Sequence, residues 1–288
     1  MFQVFFQAAR PKTLSASIIP VIIGSSVAYA DMHFSWMIFL LTLASALLIQ
    51  IGTNFANDLY DFIKGADNDS RIGPDRVTQL GLLSVSSMKI ITAFIFLISI
   101  CCGYPLVLKG GFPILCVGLI SIISGYLYTA GPYPLGYNGL GDVFVFIFFG
   151  PIAVCGTYFL QTENINFFVL LCGIICGLLS TALLCINNLR DISTDKESGK
   201  KTLAVRFSSK FVQIEFILIL VFIYLISFLL YIDSNKFSLL STLLTIPISI
   251  NLINSILTKK GTELNDMLGS VSRFMLIHSC LLVIGILL

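Results

Sequence analysis

The chain has 288 residues, of which 57% are hydrophobic and only 11% are charged. Soluble domains carry about 25% charged residues, so this composition excludes a soluble enzyme, a disordered chain and a fibrous repeat. The net charge of +2 gives no indication of nucleic-acid binding, and the sequence predicts a polytopic membrane protein.

Nine apolar runs are long enough to cross a bilayer as helices, which takes about 20 residues each. We therefore predict an all-α fold in a single domain, residues 1–288, with nine transmembrane helices in one bundle that encloses an apolar chamber. The predicted spans are residues 13–30, 36–57, 88–108, 112–130, 142–160, 166–187, 211–232, 237–257 and 267–287.

The positions of the basic residues predict the orientation in the membrane, and the positions of the cysteines predict their role. Of the 17 Lys and Arg residues, only Lys109 and Lys236 fall on the second side of this membrane map. Because basic loops face the cytoplasm, nine crossings put the N-terminus in the cytoplasm and the C-terminus outside. The eight cysteines all lie in apolar runs, which favours packing roles over disulfides or metal binding.

Two long polar connections, at about residues 54–87 and 187–210, each begin with an acidic cluster. Within each cluster the residues are three or four positions apart, so they share one helix face. The first face carries Asn54, Asn57, Asp58 and Asp61, and the second carries Asn187, Asp191 and Asp195. Gly65 is expected to end the first helix, with Asp67 in the turn beyond it. Basic residues follow both clusters: Arg71, Arg76, Lys200 and Lys201.

The chemistry of these clusters points to a phosphorylated ligand. Close carboxylates repel each other unless a cation lies among them, and charge at a membrane helix end commonly marks a functional site. Oxygen donors without His or Cys suit Mg²⁺, which shares its coordination sphere with phosphate oxygens. One such cluster alone is explained by a solvated helix end, but two on the same side predict a diphosphate held through Mg²⁺ at the mouth of the bundle. The basic residues would contact the phosphates, and the apolar bundle would hold a lipid tail.

Longer strings of residues run along the whole chain and carry a family resemblance. They are residues 10–14, 19–20, 57–67, 73–84, 128–132, 134–137, 139–142, 150–151, 187–191, 199–206 and 263–265. In order and in position on the membrane map they resemble the UbiA-type intramembrane prenyltransferases, and within that family the branch that prenylates 1,4-dihydroxy-2-naphthoate for menaquinone synthesis. Gly65 departs from the broad family, which has an Asp there, whereas Asp67 resembles the naphthoate branch.

The resemblance implies an activity and a set of site residues. A polyprenyl group would pass from its diphosphate to 1,4-dihydroxy-2-naphthoate with decarboxylation, in a bacterial cytoplasmic membrane with the site towards the cytoplasm. The implied catalytic residues are Asp58, Asp61, Asp191 and Asp195. The implied Mg²⁺ ligands are these four with Asn57, Asp67 and Asn187. The implied diphosphate contacts are Arg71, Arg76, Lys200 and Lys201.

Three questions stay open at this point. The first is the acceptor, because a sister enzyme on the same scaffold would prenylate another aromatic compound, such as 4-hydroxybenzoate. The second is the class of protein, because the acidic clusters would also suit a cation or metabolite transporter. A transporter would need polar groups deep in the spans, where few occur apart from Asn251 and Asn254. The third is the role of five aromatic residues in the predicted lining, which would either face an allylic cation or serve only helix packing. The members of this aromatic stripe are Tyr126, Tyr128, Tyr137, Phe144 and Phe148.

Overall fold

All regular structure in the described residues is helical, as predicted. The computed structural model describes residues 2–67 and 72–288. The helices are α1 Phe2–Ala9, α2 Pro11–Ala30, α3 Trp36–Ile63, α4 Val85–Leu127, α5 Gly141–Ile147, α6 Ala153–Thr162, α7 Phe167–Arg190, α8 Ile192–Glu197, α9 Leu203–Phe207, α10 Ser209–Ser234, α11 Ile246–Thr258 and α12 Leu264–Leu287. A π-helical segment, Phe148–Ile152, joins α5 to α6, and a 3-10 segment, Phe237–Thr245, leads into α11.

Eight helical segments in the described part of the chain are long and apolar enough to cross a membrane. One of them, α4, has 43 residues and would be about 64 Å long if straight, twice the roughly 30 Å hydrocarbon core. Its backbone is non-helical at Gly111, with φ 67° and ψ −154°. Phe96 before this break packs against Gly52, and Gly125 after it packs against Thr53, the next residue of α3. The chain therefore turns back at Gly111, which favours the predicted count of nine crossings.

Helix α7 is the central helix of the bundle. In its apolar stretch 78% of the residues are buried, compared with 11% in α3. Glycines let its neighbours approach closely, since a Cβ at Gly177 would lie 2.5 Å from the Phe146 carbonyl oxygen. A Cβ at Gly173 would lie 2.9 Å from Pro151 Cα in the π-helical segment. Small residues at such contacts are the usual basis of helix association in membranes.

The two ends of the bundle differ in charge as the sequence predicts. At one end the two long connections meet, where Lys200 Nζ lies 3.3 Å from Asp61 Oδ1, and the Asn265 side chain of α12 donates a hydrogen bond to the Ile72 carbonyl over 3.3 Å. Lys109 lies at the other end, 3.8 Å from Glu163, and Lys236 lines a small surface pocket near the start of α7. The assignment of the first end to the cytoplasm stays a prediction.

Candidate active site

A chamber of about 1050 Å³ opens at the charged end of the bundle. Its walls carry apolar side chains, among them Leu106 and Ile114 of α4 and Phe144 of α5. The charged residues of the lining belong to three stretches of chain, at residue 10 and at about 58–76 and 190–200. The volume lies at the upper limit of ordinary ligand pockets, about 300–1,000 Å³, and the separation of charge from apolar wall suits an amphiphilic ligand.

The first acidic cluster lies at the end of α3, on the chamber wall. Asp58 is almost fully buried, and its two carboxylate oxygens accept hydrogen bonds from the backbone N–H groups of Val77 and Thr78, each over 3.0 Å. Asn57 accepts a hydrogen bond from the Thr129 hydroxyl over 2.9 Å. Asp58 therefore holds the long connection against α3, and each of its oxygens keeps the capacity to accept one more bond.

The turn after α3 follows the prediction, with Gly65 at the helix end and Asp67 in the turn beyond it. Gly65 has φ 73°, and the next residue donates its N–H back to the Asp61 carbonyl over 2.8 Å, so the helix ends here. Asp67 is buried but does not line the chamber, and its Oδ2 lies 3.4 Å from Arg76 Nε. Asp67 forms an ion pair with Arg76, which reaches the chamber, and its role as a Mg²⁺ ligand stays a prediction.

The second acidic cluster crosses the junction between α7 and α8 without losing its helical register. The Asp191 N–H donates to the Asn187 carbonyl over 3.0 Å, and the Asp195 N–H donates to the Asp191 carbonyl over 2.8 Å. The predicted common face is therefore kept, and all three residues line the chamber. Arg190 holds the Asp191 carboxylate by two hydrogen bonds, of 2.7 and 2.6 Å.

Lys200 joins the two clusters. Its Nζ lies 3.3 Å from Asp61 Oδ1 and 3.6 Å from Asp195 Oδ1. The Tyr137 hydroxyl donates a 2.7 Å hydrogen bond to the same Asp61 oxygen, and the Lys200 ammonium lies 4.8 Å from the centre of the Tyr137 ring. Residues from two distant stretches of sequence thus meet around one cation at the chamber mouth.

The electrostatics of this group follow from burial and from the neighbouring charges. Burial raises the pKa of Asp195 to about 6, against the opposing effect of the Lys200 ammonium. Burial disfavours the charged form of Lys200, but Asp61 and Asp195 outweigh it, so the pKa of Lys200 lies above its usual value. Burial and the Asp61 charge raise the pKa of Tyr137, so the phenol keeps its proton and stays a hydrogen-bond donor.

The four predicted phosphate-binding residues have different positions. Arg76 and Lys200 line the chamber with side chains that are 13% and 17% exposed. Lys201 is exposed and does not line the chamber, although its backbone N–H donates to the Tyr137 carbonyl over 2.7 Å. Arg71 lies outside the described residues. Of the described basic residues predicted here, Arg76 and Lys200 are the ones in position to meet a diphosphate.

Two further basic residues line the chamber and were not predicted as site residues. Arg10, between α1 and α2, donates a 3.4 Å hydrogen bond to the Asn54 carbonyl. Arg190 bonds to Asn265 of α12 over 3.0 Å in addition to its bonds with Asp191. The sequence carried a signal for both, because Arg10 and Arg190 stand within the strings that carry the family resemblance.

The predicted aromatic stripe lines the chamber except at one position. Tyr128, Tyr137, Phe144 and Phe148 face the cavity, and the rings of Phe144 and Phe148 are stacked with centroids 5.8 Å apart. Tyr126 does not line it. Tyr126 packs edge-on against Tyr60 of α3. Tyr126 and Tyr128 are two residues apart, so they point to different faces of the helix end.

The donor set at the chamber mouth fits Mg²⁺. The lining donors are all oxygens, from Asn57, Asp58, Asp61, Asn187, Asp191 and Asp195. Within the described part of the chain, no three of these carboxylates have oxygens within 4.8 Å of one another, because Lys200 and Arg190 lie among them. Such spacing suits an ion that keeps several waters and takes phosphate oxygens as its remaining ligands.

Comparison with known proteins identifies the family of this chain. The model of the UbiA prenyltransferase family matches residues 17–274. A protein of Escherichia coli named 1,4-dihydroxy-2-naphthoate octaprenyltransferase is 42% identical over 213 residues, which are 71% of this chain and 68% of that protein. The human UbiA prenyltransferase domain-containing protein 1 is 31% identical over 273 residues, covering 91% of this chain and 80% of its own length.

Solved structures agree with the fold. A UbiA homolog from Archaeoglobus fulgidus, solved with DMAPP and Mg²⁺, superposes with a TM-score of 0.68 at 14% identity and covers 96% of this chain and 98% of its own. A UbiA homolog from Aeropyrum pernix has a TM-score of 0.70 at 12% identity, covering 93% and 96%. With its apolar spans, its charged chamber mouth and the family match along most of its length, the chain belongs to the UbiA prenyltransferase family of integral membrane proteins.

Proposed function

We propose that this protein transfers a polyprenyl group from polyprenyl diphosphate to 1,4-dihydroxy-2-naphthoate, giving demethylmenaquinol for menaquinone synthesis. The observation that carries the proposal is the meeting of Asp61 and Asp195 around Lys200 at the mouth of an apolar chamber. The bacterial relatives that bear the naphthoate name are 34–42% identical, which supports this acceptor.

The diphosphate end of the substrate would lie among the charged groups. The proposed Mg²⁺ ligands are Asn57, Asp58, Asp61, Asn187, Asp191 and Asp195 on the chamber wall, with Asp67 in the turn beyond α3. The bound ion would draw charge from the departing diphosphate. Arg76 and Lys200 would bind the phosphate oxygens directly by charge-assisted hydrogen bonds. Tyr137 would keep the Asp61 carboxylate turned towards the ion.

The reaction itself needs a dry and electron-rich chamber. The allylic C–O bond breaks and its electron pair leaves with the diphosphate, while an electron-rich ring carbon of the naphthoate forms the new C–C bond and the carboxylate departs as CO₂. Water would trap the allylic cation, so the apolar walls protect it. The stacked rings of Phe144 and Phe148 would offer π-electron density to it.

The distribution of basic residues supports a proposed orientation in the membrane. With Lys109 and Lys236 as the exceptions among 17 basic residues, the charged end would face the cytoplasm. We place the enzyme in the bacterial cytoplasmic membrane, where the chamber mouth is open to soluble acceptor and Mg²⁺ and the prenyl tail stays in the lipid-like interior.

The direct test is prenyl transfer in membranes that contain the full chain. Labelled polyprenyl diphosphate is supplied with either 1,4-dihydroxy-2-naphthoate or 4-hydroxybenzoate, and lipid-soluble product is measured with and without a chelator. We expect product with the naphthoate only, loss of product with the chelator, and loss in Asp58→Asn and Asp191→Asn. Asp233→Asn, at an exposed position outside the chamber, is the matched control. Full activity in the first two variants, or with the chelator, would refute the proposed site, and product with the other acceptor would identify a sister enzyme.

A further inference from the structure

Three side chains from three helices form a second cluster of ligand atoms, apart from the chamber. Asp142 comes from the first turn of α5, Cys185 from α7 and Glu215 from α10. A carboxylate oxygen of each acid and the Cys185 sulfur all lie within 4.8 Å of one another. None of the three lines the chamber. The cluster is therefore distinct from the oxygen-only group at the chamber mouth.

The burial of this cluster leaves two neighbouring carboxyl groups without a cationic partner. Asp142 is 6% exposed and its Oδ1 has no hydrogen-bond partner, and the same holds for the buried Oε2 of Glu215. Cys185 is fully buried. Within the described chain no Lys, Arg or His forms an ion pair with either acid. Two carboxylates side by side in a low-dielectric region are costly unless a cation or a proton lies between them.

The donor types decide which cation would fit. A divalent ion would relieve the repulsion between the acidic ligands, and a sulfur donor selects Zn²⁺ over Mg²⁺, which prefers oxygen alone. Zn–O and Zn–S bonds of about 2.0–2.3 Å place tetrahedral ligands about 3.5 Å apart, so small side-chain rotations would close the observed separations. Three protein ligands leave one position for water.

We infer that Asp142, Cys185 and Glu215 form a binding site for a thiophilic divalent cation of the Zn²⁺ class. Binding of the ion would release the thiol proton of Cys185 to water, and the ion would link α5, α7 and α10 behind the chamber. Cys185 lies two residues before Asn187 on α7, so the ion would stiffen the base of the second acidic cluster. The sequence had predicted only packing roles for the cysteines, because the two acids come from other helices.

The test uses the thiolate-to-metal charge-transfer absorbance of Cd²⁺, a spectroscopic stand-in for Zn²⁺. Purified full-length protein in detergent is freed of metal and titrated with Cd²⁺ in excess Mg²⁺, so that the oxygen-only group stays occupied. We expect one thiolate band per chain, displaced by Zn²⁺ and abolished in Cys185→Ser. Because loss of a group that merely supports a metal ligand lowers affinity about 10–100-fold, Asp142→Asn and Glu215→Gln should weaken Cd²⁺ binding at least that much.

The control is Cys176→Ser, which removes another fully buried cysteine of α7 and should leave the band unchanged. A second readout is the thermal midpoint, which Zn²⁺ should raise in the wild type and in Cys176→Ser but not in Cys185→Ser. A wild-type protein without the band overturns the inference whatever the variants do. A band that survives in Cys185→Ser also overturns it.

Discussion

The Lys200 ammonium is the only described cation that contacts both acidic clusters, so replacing it by an apolar side chain of similar length tests the site directly. In Lys200→Met, the Asp61 and Asp195 carboxylates would face each other with side chains only 6% and 11% exposed. Removing one partner of a buried ion pair costs about 3–5 kcal/mol. Asp195 can take up a proton, since its pKa is about 6, and this relief reduces the expected loss.

We expect Lys200→Met to lose about 2–3 kcal/mol of stability in a chelator, allowing for that protonation and for partial exposure. For a chain of this size the loss corresponds to about 4–6 °C in Tm. Mg²⁺ should restore part of it, because the divalent ion would neutralise the same two carboxylates. A lost charge-assisted bond to phosphate, of about 1.5–3 kcal/mol, should lower kcat/KM for the prenyl diphosphate roughly 10–100-fold.

The assay is thermal unfolding of the purified protein with Mg²⁺ and with chelator, alongside steady-state kinetics. Lys196→Met is the matched control, because Lys196 is exposed on α8 and its replacement changes the net charge equally. The reasoning fails if Lys200→Met and Lys196→Met unfold at the same temperature in chelator. It also fails if Mg²⁺ leaves the difference between the two variants unchanged.

Three further predictions test the tyrosine, the helix packing and the orientation. Tyr137→Phe removes the hydrogen bond to Asp61 and should lower kcat/KM about tenfold, whereas Tyr133→Phe at an exposed position should leave it unchanged. Equal kcat/KM values in the two variants would exclude a role of the Tyr137 hydroxyl in the site. Gly177→Ala sets a Cβ against the Phe146 carbonyl and should cost about 1–3 kcal/mol, seen as a lower Tm; an unchanged Tm would contradict the packing. Glu197→Cys should react with an impermeant thiol reagent only from the cytoplasmic side, and labelling from outside alone would reverse the topology.

The spans, the helix end at Gly65 and the in-phase acidic faces were all predictable from sequence, because each depends on residues near one another in the chain. Apolar length sets where a helix crosses lipid, and a glycine can adopt the positive φ that ends α3. The register of Asn187, Asp191 and Asp195 follows from helical spacing alone, and it holds across the break between α7 and α8.

The partners of the charged groups were not predictable in this way. Asp67 and Lys201 were both predicted as site residues, and the structure adds that Asp67 pairs with Arg76 and that the Lys201 side chain is exposed. Tyr137 was expected only as an aromatic wall, and its bond to Asp61 joins two connections that lie far apart in the chain.

The sequence by itself determined an all-helical membrane protein with oxygen-rich clusters on one side, because hydropathy and helical periodicity are properties of short stretches. Tertiary structure alone decided which of those groups share a cation and which neutralise each other. It also decided that Asp142, Cys185 and Glu215 meet. The physical reason is that charge pairing in a buried site depends on distances of a few ångströms, and these are set by how the helices and their connections pack against one another.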